Sequence, residues 1–177
     1  VGSALAAYHG YAGKPRKAKQ TTDCMKGAYL GPSYDDDHIQ TYLKSVGAKF
    51  SLMDQRSMIQ KTAQLLASGC AVGWFQGRME FGPRALGCRS ILADPRSPSI
   101  QKTLNLKVKH RESFRPFAPS ILREDLPYWF DIDVDSPYML VVANIREEHR
   151  RNVTDQEQYL VGIDKLNVSR SSIPAVT

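Results

Sequence analysis

The sequence predicts an α/β (α+β) domain built on a mixed sheet, and three observations predict it. Short apolar runs suited to strands occur at Cys70–Phe75, Ser90–Ala93 and Tyr138–Ala143. Apolar residues at helical spacing precede them, at Ile39, Leu43 and Val46 and again at Ile59, Ala63, Leu65 and Leu66. Glycine, proline and small polar residues mark the joints. Strands alternating with helices fit this class. The chain of 177 residues, 42% hydrophobic and 24% charged, is long enough to bury a core.

Residues 1–11 read as the end of a helix. Residues 12–27 carry Lys14, Arg16, Lys17, Lys19 and Lys26 among Gly and Thr, and read as a mobile basic linker. Asp35, Asp36 and Asp37 supply the cap and first-turn acids of a helix that Gly47 ends. Ser57 is the expected cap of a second helix, ended by Gly69. Cys70–Phe75 then suits a buried strand, and Ser90–Ala93 another. Ser97–Pro98 marks a helix start, with Pro at the first helical position, and Ile100, Leu104 and Val108 form its stripe. Phe114 to Leu122 reads extended, Asp125 to Phe130 as a helical turn, and Tyr138–Ala143 as the clearest strand. The tail from Arg146 to Ser172 is polar, with a weak apolar run at Tyr159–Val161.

Several classes drop out. No run of 18 apolar residues is present, so no membrane span or membrane partner is expected. No signal peptide is visible, and the ends read as those of a piece cut from a longer, cytoplasmic protein. Cys24, Cys70 and Cys88 are odd in number and far apart, which argues small buried hydrophobes rather than disulfides or zinc ligands. His9, His38, His110 and His149 are dispersed, so no metal site is expected. The sequons at Asn152 and Asn167 mean little without a secretion signal. No Walker motif, no G-x-S-x-G elbow and no nucleophile–base pair occur, so the catalytic residue stays unknown.

The net charge of +6 is concentrated. From Arg78 to Arg115 nine Lys or Arg residues face only Glu80, Asp94 and Glu112, which accounts for all of it. Two features give this window chemistry. Gly73–Gly87 runs from a strand into a glycine-rich turn whose N–H groups suit an anion-binding nest, with Arg78 and Arg84 projecting. In Asn105–Ser120, Lys107, Lys109, Arg111 and Arg115 are all odd-numbered and share one face if the chain is extended. Phe114 and Phe117 are expected to anchor that stretch, and Pro116 and Pro119 to stiffen it. Two cations ~6 Å apart repel by roughly 3 kcal/mol at an effective dielectric of ~20, which a bound anion relieves. A compact phosphate compound fits better than nucleic acid, because Trp74, Phe75 and Phe117 look like core rather than an exposed stacking surface.

The stretches GRMEFGPRALGCRSILADPR and LNLKVKHRESFRPFAPSI, with AYLGPSYDDDHI ahead of them, closely resemble the C-terminal domain of the O-carbamoyltransferases, the nodulation and antibiotic-tailoring enzymes. The resemblance covers roughly Ala28 to Ile145. It implies a YrdC-like domain over residues 28–177, truncated here, with a mixed twisted sheet and flanking helices. Residues 1–27 would then be the tail of a preceding actin-like domain and a linker. It implies that this domain uses ATP with Mg and carbamoyl phosphate to form carbamoyl-adenylate. The missing N-terminal domain, holding iron or another divalent metal, would pass the carbamoyl group to a hydroxyl-bearing acceptor. Arg84, Lys109 and Arg115 match the family's phosphate and nucleotide contacts, with Arg111 in the same motif. The polar tail is most similar to the nodulation branch, whose acceptor is a lipo-chitooligosaccharide. Alternatives are an RNA-binding, tRNA-modification-related YrdC-like module and a domain that only completes an interface.

Overall fold

The computed structural model describes residues 2–17, 23 and 25–176. Helix α1, Gly2–Ala6, runs into a π turn at Ala7–Tyr11, as the helical reading of this segment expects. Lys14, Arg16 and Lys17 lie in a stretch without regular structure, while Lys19 and Cys24 lie outside the described residues. The buried Ala28 then closes a single 3-10 turn, Lys26–Ala28. From here the chain pairs with a later segment. Gly31 N–H donates to Met79 O at 3.0 Å, Met79 N–H to Pro32 O at 2.9 Å, and Phe81 N–H to Ala28 O at 2.6 Å.

Helix α2, Asp36–Ser45, is capped as predicted. Asp35 accepts the N–H of His38 at 2.8 Å, Asp36 and Asp37 fill the first turn, and Gly47 follows at φ +66°. Helix α3, Gln55–Ala67, starts earlier than expected. Its cap is Asp54, which accepts the N–H of Ser57 at 3.0 Å, so Ser57 is the third helical residue rather than the cap. Gly69, at φ +84°, follows its end as expected.

Strands β1, Val72–Phe75, and β2, Arg89–Leu92, pair antiparallel, with Val72 opposite Leu92 and Phe75 opposite Arg89. Among the described residues they form a two-stranded sheet, not the larger mixed one expected. Tyr138–Ala143 is not a strand. Met139 sits at φ +53°, and Leu140 and Val142 are 84% and 97% exposed. Strand propensity without a neighbouring ladder does not hold the backbone extended. Nor is β1 buried on both faces: Trp74 is half-buried while Phe75, on the opposite face, is 59% exposed.

Helix α4, Ile100–Thr103, begins after Ser99, not at Ser97–Pro98, because the backbone first turns through Ser97 N–H to Asp94 O at 3.3 Å. It continues as a π turn, Leu104–Val108. Ile100 and Leu104 are buried, but the wider turn rotates Val108 off the shared face. Ile100 and Leu104 form the core with Ala175, and Ala93 and Phe117 pack against it. The tail reaches this core because Ala175 N–H donates to Pro95 O at 3.2 Å. Helix α5, Leu126–Trp129, is the helical turn expected there, and Phe130 after it bridges Ile145. The polar tail adds α6, Asp155–Gln158, and α7, Gly162–Leu166.

Helices and a small sheet together agree with the coarse α/β class. The layers are open, however. Neither α2 nor α3 buries a residue, and the exposed surface is 13980 Å². A compact protein of this mass exposes about 8,600 Å². Among the described residues no helix is long and apolar enough to cross a membrane.

Candidate phosphate site

The two basic segments singled out in the sequence form two separate, differently held loops. The first joins β1 to β2, and a buried acid organises it. Glu80 accepts the N–H of Leu86 at 3.0 Å through Oε2 and that of Cys88 at 3.0 Å through Oε1. Arg89 faces the same carboxylate, Nε to Oε2 at 3.5 Å, and its Nη2 donates to Gly82 O and, at 3.3 Å, to Arg84 O. Gly82 and Gly87 take φ of +121° and +127°, which lets the backbone fold round the acid. An anion-binding nest is therefore present in the turn, but Glu80 fills it. Arg78 is committed as well, its Nε donating to Gly31 O. The Arg84 side chain stays exposed.

Behind this turn Cys88 is buried, with its Sγ 3.3 Å from Tyr29 Oη. That hydrogen bond, the charge the thiol can develop, burial and nearby Glu80 together push the Tyr29 phenol above its ordinary range. Cys70 is exposed rather than a buried hydrophobe.

The second loop follows α4. The row of odd-numbered cations does not form, because the chain is not extended here. Lys107 lies in the π turn, Lys109 is in the helical region, and His110 takes φ +49°. A different device ties the Arg111 side chain and the Arg115 backbone to one residue. Asn105, 0% exposed, donates through Nδ2 to Ser113 O at 3.0 Å and Arg115 O at 2.8 Å. Its Oδ1 accepts Arg111 Nε at 2.6 Å, and its carbonyl accepts Arg111 N–H at 2.9 Å. The Arg111 guanidinium also lies over the Phe117 ring, 5.0 Å from its centroid. Phe117 is half-buried against the core as expected, but the Phe114 ring is exposed.

Arg115 Nε pairs with Glu112 at 3.0 Å, and that hydrogen bond first, with the arginine charge, holds the Glu112 carboxyl below its usual range. Both partners are exposed, so the pair contributes little and yields readily to a stronger anion. Lys109 is exposed, and among the described residues no hydrogen bond or ion pair joins Arg84 to Lys109, Arg111 or Arg115. A surface hollow of about 580 Å³ beside Gln55, Arg56, Ile59 and Gln60 belongs to α3 and is lined by none of these cations.

Residue type alone conceals the two groups that build these loops. Glu80 counts in the sequence as one of three opposing acids, although its place between Met79 and Phe81 hints at burial. Asn105 lies between Leu104 and Leu106, the one polar signal of a buried amide.

The chain matches the family model described as carbamoyltransferase C-terminus over residues 63–177. It is 50% identical over 179 residues to an uncharacterized protein of Synechocystis, covering 100% of this chain and 29% of the relative. It is 36% identical to nodulation protein NolO of Bradyrhizobium diazoefficiens, over 92% of this chain and 30% of the relative. Over 47% of its length it is 49% identical to a 3'-hydroxymethylcephem-O-carbamoyltransferase of Streptomyces clavuligerus, covering 16% of that protein. The chain thus spans less than a third of the length of these relatives.

Proposed function

The chain belongs to the family of carbamoyltransferase C-terminal domains, and from that premise we propose that it binds ATP and carbamoyl phosphate and forms carbamoyl-adenylate for transfer to an acceptor hydroxyl. One observation carries the assignment of the site: a single buried side chain, Asn105, fixes the loop bearing Arg111 and Arg115, with Lys109 just ahead of it. Adenylation needs little covalent help from a protein. It needs fixed positive charge where phosphate oxygens gather negative charge, and positioning of the two reactants. Holding the loop that carries the cations limits the reorganisation needed when the reaction occurs.

In this proposal Lys109, Arg111 and Arg115 contact phosphate oxygens, and Arg84 approaches from the glycine turn. Among the described residues no group of three or more His, Cys, Asp or Glu could hold a metal. Magnesium would travel on the nucleotide phosphates, as it commonly does in nucleotide sites. Iron or another divalent metal, and the acceptor, would belong to the preceding domain of a longer protein. Relatives named nodulation proteins fit the lipo-chitooligosaccharide acceptor of the sequence reading, and relatives named 3'-hydroxymethylcephem-O-carbamoyltransferases fit a different hydroxyl acceptor. A YrdC-like arrangement and a cytoplasmic setting complete the proposal.

Calorimetry tests it directly. ATP-Mg and carbamoyl phosphate should each bind, and Lys109→Ala and Arg115→Ala should each weaken binding by ~1.5 kcal/mol or more. Unchanged affinity in both variants would sink the site. Binding of RNA with a steep salt slope and no nucleotide binding would replace it with the RNA-binding alternative.

A further inference from the structure

The loop that carries Arg111 and Arg115 is held from one side by two amides on neighbouring helical turns. Gln101 donates through Nε2 to Phe114 O at 3.4 Å and to Arg115 O at 3.1 Å. Asn105, four residues later and on the same face, donates to Ser113 O and Arg115 O. Three successive carbonyls, of Ser113, Phe114 and Arg115, are thereby turned toward the helix. The Arg115 carbonyl accepts from both amides. A carbonyl accepts two hydrogen bonds, so both of its lone pairs are used.

We propose that Gln101 and Asn105 are positioning residues, an amide clamp that presets the Arg111–Arg115 loop for a phosphate-bearing ligand without touching that ligand. The inference rests on the carbamoyl-adenylate reading of the site for the identity of the ligand, but the clamp itself is a matter of geometry. Its chemistry explains the choice of residue type. A carboxylate at position 105 would still accept from Arg111 Nε but would set an oxygen against the Ser113 and Arg115 carbonyls. Only a side chain that accepts on one atom and donates twice on another satisfies the guanidinium and both carbonyls. Asn105 has no exposed surface, so its effect on any ligand must pass through the loop. Binding energy otherwise spent on ordering two long arginines is then available to the contacts.

The test uses the 177-residue chain with two readouts. The first needs no ligand: hydrogen exchange of the Arg111 and Arg115 amides, which donate to Asn105 O and Glu112 O. Gln101→Ala, Asn105→Ala and Asn105→Asp should each speed exchange there at least about fivefold and leave that of α3 unchanged. The second is the calorimetric affinity for carbamoyl phosphate and for ATP-Mg, measured separately. Asn105→Ala should weaken binding about tenfold and Gln101→Ala about threefold, the range expected for losing one or two hydrogen bonds on a charged loop. In an Arg111→Ala background the Asn105→Ala penalty should shrink to less than about threefold, because only the share that passes through Arg115 remains; two independent losses would instead multiply. If Asn105→Ala does not fold, Gln101→Ala, a change at a half-buried helix position, decides. If Arg111→Ala and Arg115→Ala weaken binding while Gln101→Ala and Asn105→Ala do not, the clamp is wrong and the site stands. If neither arginine matters, the site itself is wrong. Unchanged exchange of the Arg111 and Arg115 amides overturns the clamp whatever the ligand does.

Discussion

Glu80 and Arg89 face each other across the glycine turn, Oε2 to Nε at 3.5 Å, with the acid side chain wholly buried and the base about a quarter exposed. Arg89 Nε has no hydrogen-bond partner. The contact is thus Coulombic, and the directed bonds to Glu80 come from the Leu86 and Cys88 N–H groups. Glu80→Ala would strand the buried Cys88 donor and the part-buried Leu86 donor and remove the charge facing Arg89, a loss of about 3 kcal/mol in urea unfolding. Glu80→Gln keeps one acceptor but turns an NH2 toward one of the same donors, and should cost about 2 kcal/mol. A loss below about 1 kcal/mol for the alanine variant would mean that Glu80 does not hold the turn.

The local rules in this chain were legible where the interaction is short in sequence. Asp35 accepting from His38, and glycine after α2 and α3, follow from residue order alone. The two strands nearest the glycine turn follow from their apolar runs. What could not be read was burial of polar groups. Nothing in residue type separates Glu80, which fills the nest, from Glu112, which lies exposed beside Arg115. The extended reading of Lys107 to Arg115 failed for a related reason: the π turn at Leu104–Val108 and the bonds of Asn105 depend on partners up to ten residues away. Tyr138–Ala143 failed because strand propensity is a statement about packing, and among the described residues no strand pairs with it.

Glycine positions give a prediction with an internal control. A Cβ on Gly31 would lie 2.7 Å from Met79 Cβ and 2.9 Å from Met79 O, where the two segments pair. Gly31→Ala should therefore destabilise by about 1–3 kcal/mol. Gly87→Ala meets open space but must hold φ +127°, at a similar cost of about 1–3 kcal/mol. Gly73, inside β1, has open space and no positive φ, so Gly73→Ala should be neutral or stabilising by up to about 1 kcal/mol. Thermal unfolding of the three variants should rank Gly73→Ala above the other two, and any other order removes the steric account.

The capping box of α6 predicts a pH response. Thr154 N–H donates to Glu157 Oε2 at 2.9 Å, Arg151 Nη2 donates to Oε1 at 2.6 Å, and Thr154 Oγ1 donates to Oε2 at 3.0 Å. The Thr154 backbone first, then Arg151, push the Glu157 carboxyl down from 4.5 to about 2. A depressed carboxyl stabilises the fold fully above its unfolded value, near 4.5, and that contribution fades as pH falls toward 2. The Glu157 carboxyl carbon should titrate near 2 by NMR, and Glu157→Gln should show a shallower stability decline between pH 4.5 and 2. A midpoint near 4.5 would show that the box does not form.

The open layering has its own thermodynamic signature. An unfolded chain of this mass exposes about 28,700 Å², so a compact fold would bury about 20,100 Å². With 13980 Å² still exposed, this fold buries about 14,700 Å², close to three quarters of that. The denaturant slope m scales with surface exposed on unfolding. The chain should therefore unfold in urea with a slope about three quarters of that of compact proteins of equal length. The apolar core of Ile100, Leu104 and Ala175 should be the last part to exchange its amides, because α2 and α3 contain no fully buried residue. A full-sized slope, or α3 amides as well protected as those of α4, would mean that α2 and α3 pack more closely than their open surfaces indicate.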